Sequence, residues 1–405
     1  MKKLPSIAVW VCAVCLIFYG VHYQTSKTLF HLSSLISLIF IIGQYRSKNI
    51  GNISRDIKIF IGFVVCSAII IFVEHVFFRN KISDWVFKDF FYPIIIIIPI
   101  LIVLALEGFD KRIFQFSAII SLVVMCIYGL YQTWLHGKGY RVRGEGSLPL
   151  IFATNVAMLT AFTIIVAAHF RENTKLFLLT CAVSVMGLVT VFLTGSRGPA
   201  IAIASFIMVS GVYFAFVERG FKKIIVVLII FFIATPFFIG ETSLGARVLN
   251  GIKQYESKPD DKANSHGVRI EMWRGAINSL AEHPFAGVGF GLHQKYFNEK
   301  LQVDPGFIAP AATKYIHLHN DVINAVVWFG IPLGLLFVSF FAWLMYVFSK
   351  SLAGGFYMQA GFAVAYVFLV CGLTNSPMIR ASSLTLMLLL CVFCLSAIPQ
   401  KNKTS

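Results

Sequence analysis

Charge is what this sequence is short of. Asp, Glu, Lys and Arg make up 13% of its 405 residues, about half the share of an ordinary soluble domain. With 58% of residues hydrophobic and a mean hydropathy of +0.80, a soluble enzyme and a disordered chain are both excluded. Cysteine is missing from the polar segments: Cys12, Cys15, Cys66, Cys126, Cys181, Cys371, Cys391 and Cys394 all lie in apolar runs. That excludes a disulfide framework. The spacings Cys12/Cys15 and Cys391/Cys394 lack His or acidic company, so they read as small core hydrophobes rather than metal ligands. Two-residue alternation is also missing, since the apolar stretches are continuous for about 16–25 residues, which disfavours an outer-membrane barrel. Repeats and low-complexity segments are absent.

Long apolar runs are what is there. Twelve stand out, at about 6–23, 29–43, 59–78, 90–106, 113–134, 150–170, 176–193, 200–217, 224–239, 322–348, 356–373 and 384–398. At 1.5 Å per residue, about 20 residues cross about 30 Å of hydrocarbon. The expected fold is therefore all-α: a polytopic integral membrane protein of about 12 transmembrane helices with one large helical loop. Met1-Lys2-Lys3 before an apolar run resembles a signal peptide, but no small-x-small site follows, so we expect an uncleaved first helix. The net charge of +16 reads as loop charge rather than a nucleic-acid footprint. With the N-terminus inside, sixteen Lys and Arg fall in inside loops and tails, nine in short outside loops and nine in the long outside segment. Long loops count little in this rule, so both termini are expected in the cytoplasm.

Three regions follow: helices 1–9 in 1–239, the extramembrane loop in 240–321, and helices 10–12 with a cytoplasmic tail in 322–405. Within the loop we expect a helix at 243–255, a polar linker to His266, and an amphipathic helix at about 267–282. The latter carries Val268, Met272, Ala276 and Leu280 at helical spacing and ends at His283-Pro284. A turn, Gly287-Val-Gly-Phe-Gly291, leads to a third short amphipathic stretch. It neither follows a parallel strand nor opens a helix of a sheet, so it is a poor nucleotide loop.

The outside charges are oddly placed. Arg197 lies in Thr194-Gly-Ser-Arg197-Gly-Pro199, where two glycines and a proline display it between two apolar runs. Arg141 and Arg143 lie in the glycine-laced loop His136–Gly146, Arg269 and Arg274 on the amphipathic helix, and Arg380 in Thr374-Asn-Ser-Pro-Met-Ile-Arg380. Guanidinium suits bidentate binding of phosphate oxygens, and the charge rule disfavours these positions, which points to function. Arg269 and Arg274, five apart, stand about 140° from each other on a helix and need not share a target. Each of these arginines also has a plain alternative, as an interfacial anchor or solvated face. At the loop's end, Tyr315-Ile-His317-Leu-His319-Asn320-Asp321 offers two imidazoles, too few for zinc. A general base is the better use, with Asp321 or Asn320 to orient it.

Taken in order, Thr194-Gly-Ser-Arg197-Gly-Pro-Ala200, Gly267-Val-Arg269-Ile-Glu-Met-Trp273, His283-Pro-Phe-Ala-Gly-Val-Gly-Phe-Gly291, and His317-Leu-His319-Asn320 followed by Gly330-Ile-Pro-Leu-Gly334 resemble the O-antigen ligase/polymerase superfamily, and within it the O-antigen ligases. The resemblance implies catalytic roles for Arg197, Arg269 and His319, and substrate contacts for Arg141, Arg143, Arg274, His317, Asn320 and Arg380. It implies an undecaprenyl pyrophosphate-linked polysaccharide donor, a lipid A–core acceptor, and no metal, nucleotide or other cofactor. The implied place is the bacterial inner membrane, with the site on the periplasmic face among membrane lipids. His317 is a second histidine beside the family's His-Asn pair. An O-antigen polymerase, which would use another lipid-linked glycan as acceptor, stays open, as does a transporter or flippase. Against transport, the acidic residue evident within the apolar runs is Glu74, near a run's end.

Overall fold

The computed structural model describes residues 4–19, 23–44, 53–77, 84–107, 111–137, 140–144, 148–217, 265–315, 317–350 and 355–397. Among these residues there are thirteen α-helices, two 3-10 turns and no strand. The helices are α1 (Leu4–Phe18), α2 (Tyr23–Gln44), α3 (Arg55–Phe77), α4 (Asp84–Glu107), α5 (Lys111–His136), α6 (Pro149–His169), α7 (Thr174–Leu193) and α8 (Arg197–Val217). After them come α9 (Ser265–Glu282), α10 (His293–Val303), α11 (Asp321–Ser349), α12 (Phe356–Thr374) and α13 (Ala381–Ser396). Eleven of the twelve apolar runs fall on helices; the run at 224–239 and the helix expected at 243–255 lie outside the described residues. Six stretches are long and apolar enough to cross a membrane: Thr25–Gly43, Arg112–His136, Pro149–His169, Thr174–Leu193, Asp321–Ser349 and Phe356–Thr374. The described residues are all-helical, and the protein is a membrane protein.

Helix α6 is the axis of the bundle, buried along nearly its whole length and packed by α7, α8, α12 and α5. Its hydroxyls are satisfied within the helix: Thr154, Thr160 and Thr163 donate to the carbonyls of Leu150, Val156 and Leu159 at 2.7–2.9 Å. In an apolar medium such back-bonding removes polar groups that nothing else would solvate. Helix α13 is equally buried although it has only 16 residues, a rise of about 24 Å that falls short of the hydrocarbon thickness. It serves as a core helix, and Ser383 ties it to α6 by donating to Asn155 Oδ1 at 2.9 Å. Between apolar helices in lipid, close approach does the work of a hydrophobic driving force. Gly187 of α7 faces the Thr160 side chain, and Gly361 of α12 faces the Phe348 ring, so closely that a methyl group at either glycine would collide.

The bundle has two ends. The α6–α7 turn at Phe170–Asn173 and Lys350 mark one. The other gathers the segment 140–144, the α7–α8 turn, the loop region 265–320 and the α12–α13 turn. At this second end Val142 is fully buried and donates its N–H to the Leu193 carbonyl at 3.5 Å.

Candidate active site

The centre of the second end is the strap from Tyr315 to Asp321. Its backbone cannot follow a helix, because His319 sits at φ +52°, the one non-glycine residue with positive φ among those described. Such a conformation costs of order 1–3 kcal/mol and persists only where the surroundings impose it. The surroundings here are explicit. On one side of the Leu318 residue, its N–H donates to Asn324 Oδ1 at 2.9 Å; on the other, its carbonyl accepts from the indole of Trp273 at 3.0 Å. Asn324, fully buried, donates in turn to Ser376 Oγ at 2.7 Å. Asn320 caps α11 through its Oδ1, which accepts from the Ile323 N–H at 3.1 Å, and its Nδ2 donates to the Leu373 carbonyl at 3.1 Å. Asp321 is also buried and accepts from the Met378 N–H at 3.2 Å. The side chains expected to orient His319 are therefore bonded to the α11 start and the α12–α13 turn. Asn375, which sequence reasoning missed, bonds His319 instead.

Two imidazoles stand edge to face here, His317 and His319, with ring centroids 4.2 Å apart, and the Tyr315 ring lies 5.5 Å from His319. Both are held neutral. Burial, the facing His319 and Arg380 lower the His317 pKa to about 3. Burial and the charge of Arg269 bring His319 to about 4, against the opposing bond from Asn375. The Nδ1 atoms of both are buried without a hydrogen-bond partner. A neutral imidazole with an unused nitrogen can accept a proton.

The guanidiniums come from separate elements. Arg197 is the first residue of α8, placed there because Gly195 turns the chain at φ +64° and because Gly198 lets the helix start approach Thr374. Arg269, half-buried, extends from α9. Its pKa is lowered by burial first and then by Arg197, with Tyr315 opposing. Two like charges thus act on one another at the membrane end, while Arg380, from the α12–α13 turn, acts on both imidazoles. Cations that act on one another and are partly desolvated favour a nearby anion.

Of the other expected residues, Arg141 lies against the same α7–α8 turn, its Nε donating to the Thr194 carbonyl at 3.1 Å and Nη2 to Ser196 Oγ at 3.5 Å. Arg143 is held by its backbone, which exchanges two bonds with the Gln132 amide at 2.7 and 3.0 Å, and its side chain is exposed. Arg274 points elsewhere: it donates to the Gly306 carbonyl and pairs with Glu271 at 3.6 Å, as the five-residue spacing from Arg269 leads one to expect. Among the described residues no group of three His, Cys, Asp or Glu could hold a metal ion.

The glycine turn has a structural task. Helix α11 breaks at Gly330 (φ 76°, ψ 172°), just before Pro332. The carbonyls freed at Val327 and Trp328 accept from the N–H groups of Val288 and Gly289 at 2.8 and 3.0 Å, and the Ile331 N–H donates to the Pro284 carbonyl at 2.8 Å. Gly287 (φ +64°) and Gly330 are where the two backbones touch, with no room for a Cβ. His293, at the start of α10, is also buried. Its Nδ1 accepts from the Trp328 indole at 2.9 Å, and burial lowers its pKa to about 4. Trp273, Asn324, Asn375 and His293 were not singled out from the sequence. Trp273 alone carried a signal, one turn beyond Arg269 on the same helix face.

A Haemophilus influenzae protein, described as uncharacterized, is 22% identical over 244 residues, 57% of this chain. The match spans 58% of that relative's length. Residues 182–338 match the family model described as O-antigen ligase. That stretch holds Arg197, Arg269, His317 and His319, and over it the chain resembles the O-antigen ligase superfamily.

Proposed function

We propose that this protein is an O-antigen ligase of the bacterial inner membrane, with its site on the periplasmic face and both termini in the cytoplasm. It would transfer polysaccharide from undecaprenyl pyrophosphate to a sugar hydroxyl of lipid A–core. The observation that carries this reading is that Arg197 acts on Arg269, and Arg269 on the neutral, half-buried His319, at one end of the bundle. A polyprenyl pyrophosphate is an anion on a membrane-embedded tail, so its site must be cationic and lie at the bilayer surface. The hydroxyl oxygen of the acceptor attacks the anomeric carbon and its proton passes to His319. The bond from that carbon to the pyrophosphate oxygen breaks, and the electron pair stays on the pyrophosphate. Negative charge grows there, and fixed Arg197 and Arg269 stabilise it more than the ground state. His319 contributes ~10²–10⁴-fold as a general base. Arg141, Arg143, Arg274, His317, Asn320 and Arg380 are proposed as the wider substrate-contacting set. Arg274 is the weakest of them, given its bond to Gly306.

The experiment is a lipopolysaccharide gel from a strain lacking the protein, with lipid-linked intermediates extracted in parallel. We expect lipid A–core without polymer, and long polysaccharide accumulating on the polyprenyl carrier. A core bearing a single repeat unit would mean a polymerase, and an unchanged ladder would remove both. In the complemented strain, His319→Ala and Arg197→Lys at normal protein level should each abolish the ladder. The lysine keeps the charge but loses the fork that grips two phosphate oxygens.

A further inference from the structure

We propose that Trp273 and Asn324 are positioning residues that act on His319 through the Leu318 backbone, a two-sided clamp that holds the histidine in its left-handed conformation. The inference rests on the transferase reading above and adds to it the residues that aim the base. Three observations carry it. His319 occupies φ +52°, a conformation that is uncommon for any residue but glycine and that the surroundings must stabilise. Both polar groups of the preceding residue are tied by side chains from different helices, the N–H to Asn324 of α11 and the carbonyl to Trp273 of α9. Leu318 itself is fully buried, so water cannot replace either bond. With both bonds made, the peptide planes on either side of Leu318 are set, and with them the position of the His319 Cα and the axis about which its side chain turns; beyond it, the Asn320 carbonyl is held by the Asn324 N–H at 2.9 Å. Trp273 also stands one turn from Arg269 on α9. The helix that presents the guanidinium therefore also grips the strap that presents the imidazole, which holds base and anion site in one register.

The decisive variant is Trp273→Phe, which keeps an aromatic ring and removes only the donor. Its assay uses the full-length protein in detergent, a polyprenyl pyrophosphate-linked glycan as donor and a lipid A–core as acceptor. A displaced general base should lower kcat by roughly 10–100-fold, while KM for the donor stays unchanged. A second readout is the acid limb of the kcat–pH profile. The groups facing His319 are Arg269 from α9, Arg380 and Asn375 from the α12–α13 turn, and Tyr315 and His317 from its own strap. A loosened His319 gains water and stands farther from Arg269, so its pKa rises from about 4 towards about 6.5. The limb should move to higher pH by the same amount. A merely structural defect would lower the amount of active protein and leave the limb in place. Should Trp273→Phe fail to accumulate in the membrane, Asn324→Ser, whose hydroxyl is too short to reach the Leu318 N–H, is read in the same two ways. Unchanged kcat and limb overturn the clamp, and so does a rise in donor KM that accounts for the whole loss. His319→Ala is the companion control. If it is inactive while the clamp variants are unaffected, only this inference falls; if it too is active, His319 is not the base; and if the unaltered protein transfers no glycan, the transferase reading itself has failed.

Discussion

At the scale of single residues, the site is an arrangement of groups kept from their ordinary protonation by what surrounds them. His317 and His293 are neutral in the folded protein because burial penalises their charged forms. Their folded pKa values lie below the unfolded value of about 6.5, so the stability they contribute is present above that pH and is lost as pH falls towards about 3–4. At pH 5 each imidazole should cost about 2 kcal/mol relative to pH 7 and above. Thermal unfolding in detergent at the two pH values measures it. His293→Gln, which can still accept from the Trp328 indole, should lose less stability on acidification by about the share of one imidazole. The principal residues of the candidate site were legible in the sequence because they broke a pattern: Arg197 in a short turn between apolar runs, and His317 and His319 near the start of an apolar run. Trp273 and Asn324 were not legible. An indole on an amphipathic helix reads as core, an amide inside an apolar run reads as noise, and their shared target is a backbone peptide unit, which has no letter of its own. For Trp273 that target lies 45 residues away.

At the scale of elements, continuous hydrophobicity translated directly into helices, because in lipid a helix satisfies its own backbone and nothing else open does. Span length and depth were less legible. The short α13 is a buried core helix, a fact set by its neighbours rather than by its own composition. The glycine turn at 287–291 was recognisable as special but not as the partner of the break in α11, since cross-bonding between two backbones leaves only its glycines as a trace. Gly330 occupies a region of conformational space that is essentially open to glycine alone. Gly330→Ala should therefore cost about 1–3 kcal/mol from the backbone alone, and more from the collision of its Cβ with the Phe285 carbonyl. The measurement is the amount of folded protein recovered in detergent, with the exposed Ile277→Ala on α9 as a neutral comparison.

At the scale of the whole molecule, the bundle separates a chemically busy end from a quiet one. Single cysteines placed in a cysteine-free background at the exposed positions Phe285 and Lys314 should react with a membrane-impermeant maleimide added outside intact inner membranes. A cysteine at Glu172, in the exposed turn at the opposite end, should react only after the membrane is opened. The reverse pattern would invert the proposed orientation. The break at Gly330 has a mechanical consequence. Across Gly330 the hydrogen-bond ladder of α11 is interrupted, and the Val327 and Trp328 carbonyls and the Ile331 N–H are bonded to Val288, Gly289 and Pro284 instead. The piece before the break is braced on two sides, by Val327 and Trp328 to the glycine turn and by Asp321 and Asn324 to the α12–α13 turn, so the strap that ends in it is anchored independently of the rest of α11.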